Sequence, residues 1–152
     1  MNNLKRIIII DDNKIDCFIN QKIISLSLKY RVPKIFNSAI EALDYFENAE
    51  KDENSSIFLD IDFILLDINM PSMNGFEFLN KLAKLQMFII NPVDVFFLSS
   101  SICEPDISEA LSNKFCTGYI TKPLTREKIN DIILSKNKID MELMQKIKIS
   151  IQ

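Results

Sequence analysis

Short, continuous apolar runs constrain the fold of this chain more than any other feature of its sequence. Four of them occupy residues 7–10, 63–66, 95–98 and 119–120, and a weaker one lies at residues 32–36. The runs are continuous rather than alternating, and they are rich in β-branched and aromatic residues. This composition is typical of strands that are buried on both faces of a parallel sheet.

Amphipathic helical patterns alternate with these runs. Their apolar faces comprise Ile15, Phe18, Ile19, Ile23 and Leu26; Ala39, Leu43 and Phe46; Phe76, Leu79, Leu82 and Ala83; Ile107, Ala110 and Leu111; and Ile129, Ile132 and Ile133. Ser38 and Thr125 suit the N-caps of the second and fifth helices, and the polar residues 50–56 suit a surface loop before the third strand. Five alternations of strand and helix predict an α/β doubly wound fold with helices on both faces of the sheet.

The amino-acid composition excludes several classes of function. The chain has no histidine, which excludes imidazole-based triads, histidine-ligated metals and phosphohistidine carriers. A net charge of -3 gives no basic face for nucleic acid or an anionic membrane. No apolar stretch approaches the roughly 20 residues of a membrane span, and no export signal is visible, so we expect a cytoplasmic protein. Cys17, Cys103 and Cys116 are expected to be reduced and packed rather than bridged.

Polar residues stand where the apolar runs end. Asp11 and Asp12 follow the first run, Asp67 closes the third, Ser99 closes the fourth, and Lys122 comes just after the fifth. Taken singly, each residue also suits an ordinary loop. Because the carboxyl ends of parallel strands share one edge of the sheet, we expect these side chains to converge where such sheets bind ligands.

This set of side chains suits phosphoryl chemistry. Clustered carboxylates repel one another, and a divalent cation with a preference for oxygen ligands, such as Mg²⁺, relieves that repulsion. An aspartate can act as a nucleophile and form an aspartyl phosphate. A lysine and a hydroxyl group can then hold the oxygens of the transferred group.

Four motifs in this order resemble the response-regulator receiver family. They are Asp11-Asp12, residues 67–75 from Asp67 to Gly75, residues 98–100, and residues 118–123 with Lys122-Pro123. The resemblance covers residues 4–138 and implies a five-stranded parallel sheet of flavodoxin-like order 2-1-3-4-5. It also implies a cis peptide bond between Lys122 and Pro123.

The resemblance assigns roles to individual residues. It implies that Asp67 is the phosphoacceptor, and that Lys122 and Ser99 contact the phosphoryl group. It implies that Asp12, Asp67 and the backbone carbonyl of Asn69 bind Mg²⁺ directly, with Asp11 acting mainly through water. Ser99 and Tyr119 would form the conformational switch.

The chain departs from the family pattern in four places. Ser99 stands where threonine is commoner, Asn74 where aspartate often precedes the turn glycine, and Ser100 where alanine is frequent. The segment 50–56 is longer than usual. None of these departures removes a group that the chemistry requires.

The function implied is that of a single-domain response regulator in a two-component phosphorelay, which supports its own phosphotransfer and dephosphorylation but is not otherwise an enzyme. A sensor histidine kinase or a histidine phosphotransfer protein would be the donor, and a downstream protein would be the target. Phosphorylation would strengthen target binding or homodimerisation on the surface formed by residues 106–138.

The alternative is a relay intermediate that passes the phosphoryl group on to a histidine phosphotransfer protein. Residues 139–152 would continue the fifth helix or fray as a tail.

Two other classes of protein fit less well. A flavin carrier of the same topology needs amides that face the flavin phosphate after the first strand, but the residues there are Asp-Asp-Asn-Lys. A phosphohydrolase resembling the haloacid-dehalogenase group uses an Asp-x-Asp pair, whereas Asp11 and Asp12 are adjacent.

Overall fold

The computed structural model describes residues 4–27 and 30–137. Its strands are β1 (Arg6–Ile10), β2 (Lys34–Phe36), β3 (Ile61–Leu66), β4 (Asp94–Ser99) and β5 (Gly118–Thr121). Its helices are α1 (Lys14–Ser25), α2 (Ala39–Lys51), α3 (Ile57–Asp60), α4 (Gly75–Leu82), α5 (Gln86–Ile90), α6 (Glu104–Ser112) and α7 (Arg126–Asn137). The expected extension at residues 139–152 lies outside this range.

The five strands form one sheet in the order β2-β1-β3-β4-β5, and every pair is parallel. β1 lies in the interior of the sheet, where Ile9 is opposite Ile35 on one side and Leu65 on the other. This topology confirms the doubly wound fold and the strand order that the resemblance implies. It also brings the carboxyl ends of all five strands to one edge, called here the carboxyl edge.

The core is divided into two layers by the sheet. Ile8 and Ile10 of β1 pack with residues of α2, α4 and α6, whereas Ile7 and Ile9 pack with residues of α1 and α7. Each of these isoleucines is at most 1 % exposed, and burying such a side chain is worth about 1.5–3 kcal/mol. The continuous apolar runs are therefore strands with both faces covered, as predicted.

The predicted helix caps are present, while two short helices were not predicted. Ser38 Oγ accepts the Ile40 and Glu41 amides, and Thr125 Oγ1 accepts the Lys128 amide at 3.2 Å. The helices α3 and α5 have four and five residues, which is too short for helical periodicity to show in a sequence.

The segment 50–56 is only partly the surface loop that we expected. Helix α2 continues to Lys51, and Glu50 lies within it. The Glu50 carboxylate accepts the Met87 amide at 3.1 Å in the first turn of α5. Residues 52–54 are exposed and lie outside the helices, in agreement with the expectation.

The apolar face predicted for the first helix is wrong at most of its positions, although Ile23 packs against the core. Ile15, Phe18 and Leu26 are 72 %, 59 % and 61 % exposed, whereas the buried residues of α1 are Cys17, Asn20 and Ile24. In this rotation of α1, residues at its start make short local contacts. The Asn13 side chain caps the helix, and Cys17 Sγ donates to the Asp11 carbonyl at 3.3 Å.

The prediction that the three cysteines are packed holds for two of them and is wrong for Cys103. Cys17 and Cys116 are buried, Cys103 is exposed, and the three thiols are free. Within the part of the chain that the structure describes, no helix has the length and apolar character that crossing a bilayer requires.

Candidate functional site

Two adjacent aspartates extend β1 beyond its last paired residue. The Asp11 amide donates to the Phe36 carbonyl at 3.0 Å, so the backbone pairing of β1 with β2 continues into this residue. The Asp11 side chain is buried at 2 % exposure, whereas Asp12 is exposed. Asp11 Oδ1 accepts the Asn13 amide at 2.9 Å, which turns the chain into α1.

Asp67 lies at the corresponding end of β3. Its amide donates to the Ile10 carbonyl at 2.9 Å, which fixes the residue beside the end of β1. Gly75 at the start of α4 packs against it so closely that a Cβ atom on Gly75 would lie 2.3 Å from the Asp67 carbonyl oxygen. No other residue type fits that approach, which explains the glycine eight positions after Asp67.

The three aspartates form one cluster. Each of Asp11, Asp12 and Asp67 offers a carboxylate oxygen, and these atoms all lie within 4.8 Å of one another. Burial of Asp67, followed by the charge of Asp11, raises the pKa of the Asp67 carboxyl to about 6. The ionised form of Asp67 is therefore held in the pocket at a cost in free energy.

Lys122 supplies the positive charge of this site. Its amide donates to the Ser99 carbonyl at 2.9 Å, and the peptide bond to Pro123 is cis, as the resemblance implies. Its Nζ atom lies 2.7 Å from Asp11 Oδ2 and 3.9 Å from Asp67 Oδ1. Burial works against the charged ammonium, but the neighbouring carboxylates prevail and raise the pKa of Lys122. We call Asp11, Asp12, Asp67 and Lys122 the acidic pocket.

Asp16 is a member of this site that the sequence reasoning missed. Its Oδ2 atom lies 2.9 Å from Lys122 Nζ, and it stands in the first turn of α1. Side chains of a helix tilt toward its N-terminus, and α1 starts at the carboxyl edge. An acidic residue three positions after the Asn13 cap was therefore a signal that could have found it.

Ser99 at the end of β4, Ser101 in the loop after it and Tyr119 within β5 form a hydroxyl cluster. Ser99 is fully buried and its Oγ accepts the Ser101 amide at 3.2 Å. The Tyr119 ring is also fully buried, and its hydroxyl donates to the Ser101 carbonyl at 2.7 Å. Ser101 Oγ in turn donates to Asp106 Oδ2 of α6 at 2.7 Å. Burial raises the pKa of Tyr119, so its hydroxyl stays protonated near neutral pH.

The structure thus brings most of the predicted site residues to one edge. Leu66, the last residue of β3, is paired with Phe97, so Asp67 follows the last pair of β3. Ser99 closes β4, where it is paired with Thr121 of β5. Asn69 is exposed in the loop after β3, two residues beyond Asp67. Because one residue separates it from Asp67, Asn69 lies near the cluster. Its role as a ligand through the backbone carbonyl stays a prediction.

The acidic pocket fits a hard divalent cation. Its donor set consists of three carboxylates within mutual reach, and Mg²⁺ prefers such oxygen ligands. Burial and the charge of Asp11 raise the pKa of Asp67 by more than the Lys122 ammonium lowers it, so a bound cation would favour the ionised carboxylate.

Comparisons with known proteins agree with this geometry. Residues 7–134 match the response regulator receiver domain family. A two-component response regulator from Cytophaga hutchinsonii has a similar structure, with a TM-score of 0.75, 25% identity, and coverage of 89% of this chain and 98% of that one. A response regulator receiver protein from Dyadobacter fermentans DSM 18053 has a TM-score of 0.70 and 29% identity over 87% of this chain and 96% of that one.

Similarity to curated proteins covers only part of their length. A probable transcriptional regulator, ycf29, from Porphyra purpurea is 29% identical over 117 residues, which is 75% of this chain and 51% of that protein. The chain spans about half, or less, of the curated relatives it matches.

Proposed function

The chain belongs to the response regulator receiver domain family of two-component signalling, and we propose that it accepts a phosphoryl group on Asp67 in a Mg²⁺-dependent reaction. This proposal rests on one observation. The Asp67 carboxylate lies at the carboxyl edge between two other aspartates and the Lys122 ammonium, 3.9 Å from Nζ.

The transfer step needs no proton. An Asp67 carboxylate oxygen attacks the phosphorus of the donor, a P–O bond to Asp67 forms, and the P–O or P–N bond to the donor breaks with its electron pair. A carboxylate leaving group takes that pair as an anion, while a phosphohistidine donor that already carries a proton on its other ring nitrogen leaves as a neutral imidazole. With a pKa of about 6, Asp67 is mainly ionised near pH 7 and is competent as the nucleophile.

The other pocket residues stabilise the charge of the transferred group. A Mg²⁺ ion held by Asp12, Asp67 and the Asn69 carbonyl, with Asp11 nearby, would neutralise charge on the phosphoryl oxygens. Lys122 Nζ already lies within 4 Å of Asp67 and would pair with one of those oxygens. Ser99 Oγ would donate a hydrogen bond to another.

The signal would leave through protein contact on the α6–β5–α7 side. The hydrogen bonds from Tyr119 to Ser101 and from Ser101 to Asp106 connect the end of β4 with the first turns of α6. A phosphoryl group that recruits the Ser99 hydroxyl would shift the population of this network. A sensor histidine kinase or a histidine phosphotransfer protein would supply the phosphoryl group in the cytoplasm. A target protein or a second copy of the chain would bind the altered surface.

Intact-mass measurement tests the proposal. With Mg²⁺ and acetyl phosphate, the wild-type protein should gain one phosphoryl group that hydroxylamine removes, and Asp67→Asn should gain none. Asp94→Asn, which removes an aspartate from the opposite end of β4, is the matched control and should be labelled as wild type. Equal labelling of wild type and Asp67→Asn would show that the acceptor is another residue.

A further inference from the structure

The ammonium of Lys122 is shared between the acidic pocket and helix α1. Its Nζ atom lies 2.7 Å from Asp11 Oδ2 and 2.9 Å from Asp16 Oδ2, but 3.9 Å from Asp67 Oδ1. The Lys122 side chain is 14 % exposed and that of Asp16 is 34 % exposed. The lysine thus makes its two short contacts with residues other than the acceptor.

A lysine ammonium has three N–H donors and no acceptor. At these distances two donors are engaged by Asp11 and Asp16, which leaves one for an oxygen on Asp67. Drawing Asp11 into metal coordination would release one donor, but it would not affect Asp16. Asp16 lies outside the cluster of three carboxylates that could hold an ion, so its pairing with Lys122 would persist when that cluster is occupied.

The charge of Asp16 opposes that of Lys122. A carboxylate 2.9 Å from the ammonium weakens the attraction that the ammonium exerts on an arriving anion and repels that anion itself. Asp16 also holds the Lys122 side chain on the α1 side of the pocket. Both effects act on the phosphoryl group, which is the ligand that Lys122 has to reach.

We propose that Asp16 is a positioning residue that competes with the phosphoryl group for Lys122 and so sets the phosphorylation rate and the affinity for phosphoryl mimics. The proposal rests on the function proposed above, because it concerns the same acceptor. Asp16 touches neither the acceptor nor the transferred group in this scheme, and it acts through Lys122 alone.

The variant Asp16→Asn keeps the shape of the side chain and removes its charge. We expect it to be phosphorylated by acetyl phosphate about two- to fivefold faster than wild type, the range set by a partly exposed ion pair. The affinity for beryllofluoride at saturating Mg²⁺, measured by calorimetry, should rise by a similar factor. Asp16→Glu keeps the charge and should stay near wild type.

Two further variants separate pairing with Lys122 from a general effect of charge. Glu77→Gln removes an exposed carboxylate from the first turn of α4, which also starts at the carboxyl edge, and it should behave as wild type. In a Lys122→Gln background, Asp16→Asn should lose its effect, because a double-mutant cycle reports the coupling of the two residues. The affinity for Mg²⁺ should change less than twofold in Asp16→Asn.

The outcomes are distinct. Faster labelling and tighter beryllofluoride binding in Asp16→Asn, but not in Asp16→Glu or Glu77→Gln, would establish the proposal, even if Lys122→Gln did not fold. Labelling of Asp16→Asn at the wild-type rate would overturn it while leaving Asp67 as the acceptor. An equal acceleration in Glu77→Gln would also overturn it. Failure of the wild-type protein to take up any phosphoryl group would instead overturn the proposed function and this inference together.

Discussion

The two halves of the site differ in how completely their polar groups are satisfied. In the acidic pocket, the Lys122 ammonium is shared by the carboxylates of Asp11, Asp16 and Asp67. Burial and the charge of Asp11 raise the pKa of Asp67 to about 6. In the hydroxyl cluster, Ser99, Ser101 and Tyr119 each make a hydrogen bond between 2.7 and 3.2 Å. The acidic pocket therefore holds ionised carboxylates at a cost in free energy, whereas the hydroxyl groups of the hydroxyl cluster have hydrogen-bond partners.

From this difference we predict that the acidic pocket responds to ligands and that the hydroxyl cluster carries the response. A cation that binds in the acidic pocket offsets the charge of its carboxylates and stabilises the folded protein. The hydroxyl cluster is already packed, with the Tyr119 ring fully buried. The comparison predicts opposite effects on stability when each half is mutated.

The largest effect is expected in the hydroxyl cluster. Tyr119→Ala removes a fully buried ring and should lower the free energy of unfolding by about 3–5 kcal/mol. Tyr119→Phe keeps the ring but loses the hydrogen bond to the Ser101 carbonyl, which should cost about 0.5–1.5 kcal/mol. Urea denaturation measures both.

Ile102→Ala is the control for these two variants. Ile102 lies next to Ser101 in the loop between β4 and α6 and is 82 % exposed. Its truncation should therefore change the free energy of unfolding by less than about 0.5 kcal/mol. A loss below about 1 kcal/mol in Tyr119→Ala would contradict the buried position of the ring.

The acidic pocket should respond with the opposite sign. The pKa of Asp67 is about 6 in the folded chain, against an ordinary value of 3.8. Because the folded state disfavours the ionised carboxylate, the penalty is absent below pH 4, grows between pH 4 and 6, and is complete above pH 6. Without metal, Asp67→Asn should therefore be more stable than wild type by about 1–3 kcal/mol at pH 7.

Urea denaturation in EDTA from pH 4 to pH 8 tests this pH dependence. The advantage of Asp67→Asn should vanish near pH 4 and shrink at pH 7 when Mg²⁺ is added, because the ion favours the wild-type pocket. Ser99→Ala, a change in the hydroxyl cluster, should show no such pH dependence relative to wild type. A pH-independent difference for Asp67→Asn would mean that the carboxyl titrates normally.

The smallest effect separates the two aspartates that follow β1. Asp11 Oδ2 is paired with Lys122 and Asp11 Oδ1 accepts the Asn13 amide, whereas Asp12 is exposed. We therefore expect Asp12→Ala to weaken Mg²⁺ binding about tenfold, or about 1.4 kcal/mol, and Asp11→Ala to weaken it less. Calorimetric titration with Mg²⁺ measures both, with Ser99→Ala as a control at wild-type affinity. Equal affinities in all four proteins would show that the ion binds elsewhere.

The prediction of strands succeeded where the prediction of one helix face failed, and the two cases have different physical origins. Residues 7–10 are apolar without interruption, so any strand formed there has to be covered on both faces, whatever its neighbours are. Helix α1 carries apolar residues around much of its circumference. The spacing of Ile15, Phe18 and Leu26 therefore did not determine which side faces the sheet.

The sequence by itself determined the five strands, the five longer helices, the residues that end each strand, and hence the meeting of Asp11, Asp12 and Asp67 at one edge. These features follow from local apolar patterns and from the parallel arrangement of the strands. Only the tertiary structure decided that Asp16 pairs with Lys122, a residue 106 positions away, and that the Tyr119 ring is buried. Such contacts depend on how α1 rotates about its axis and how β5 is placed beside β4, and packing between distant segments sets both.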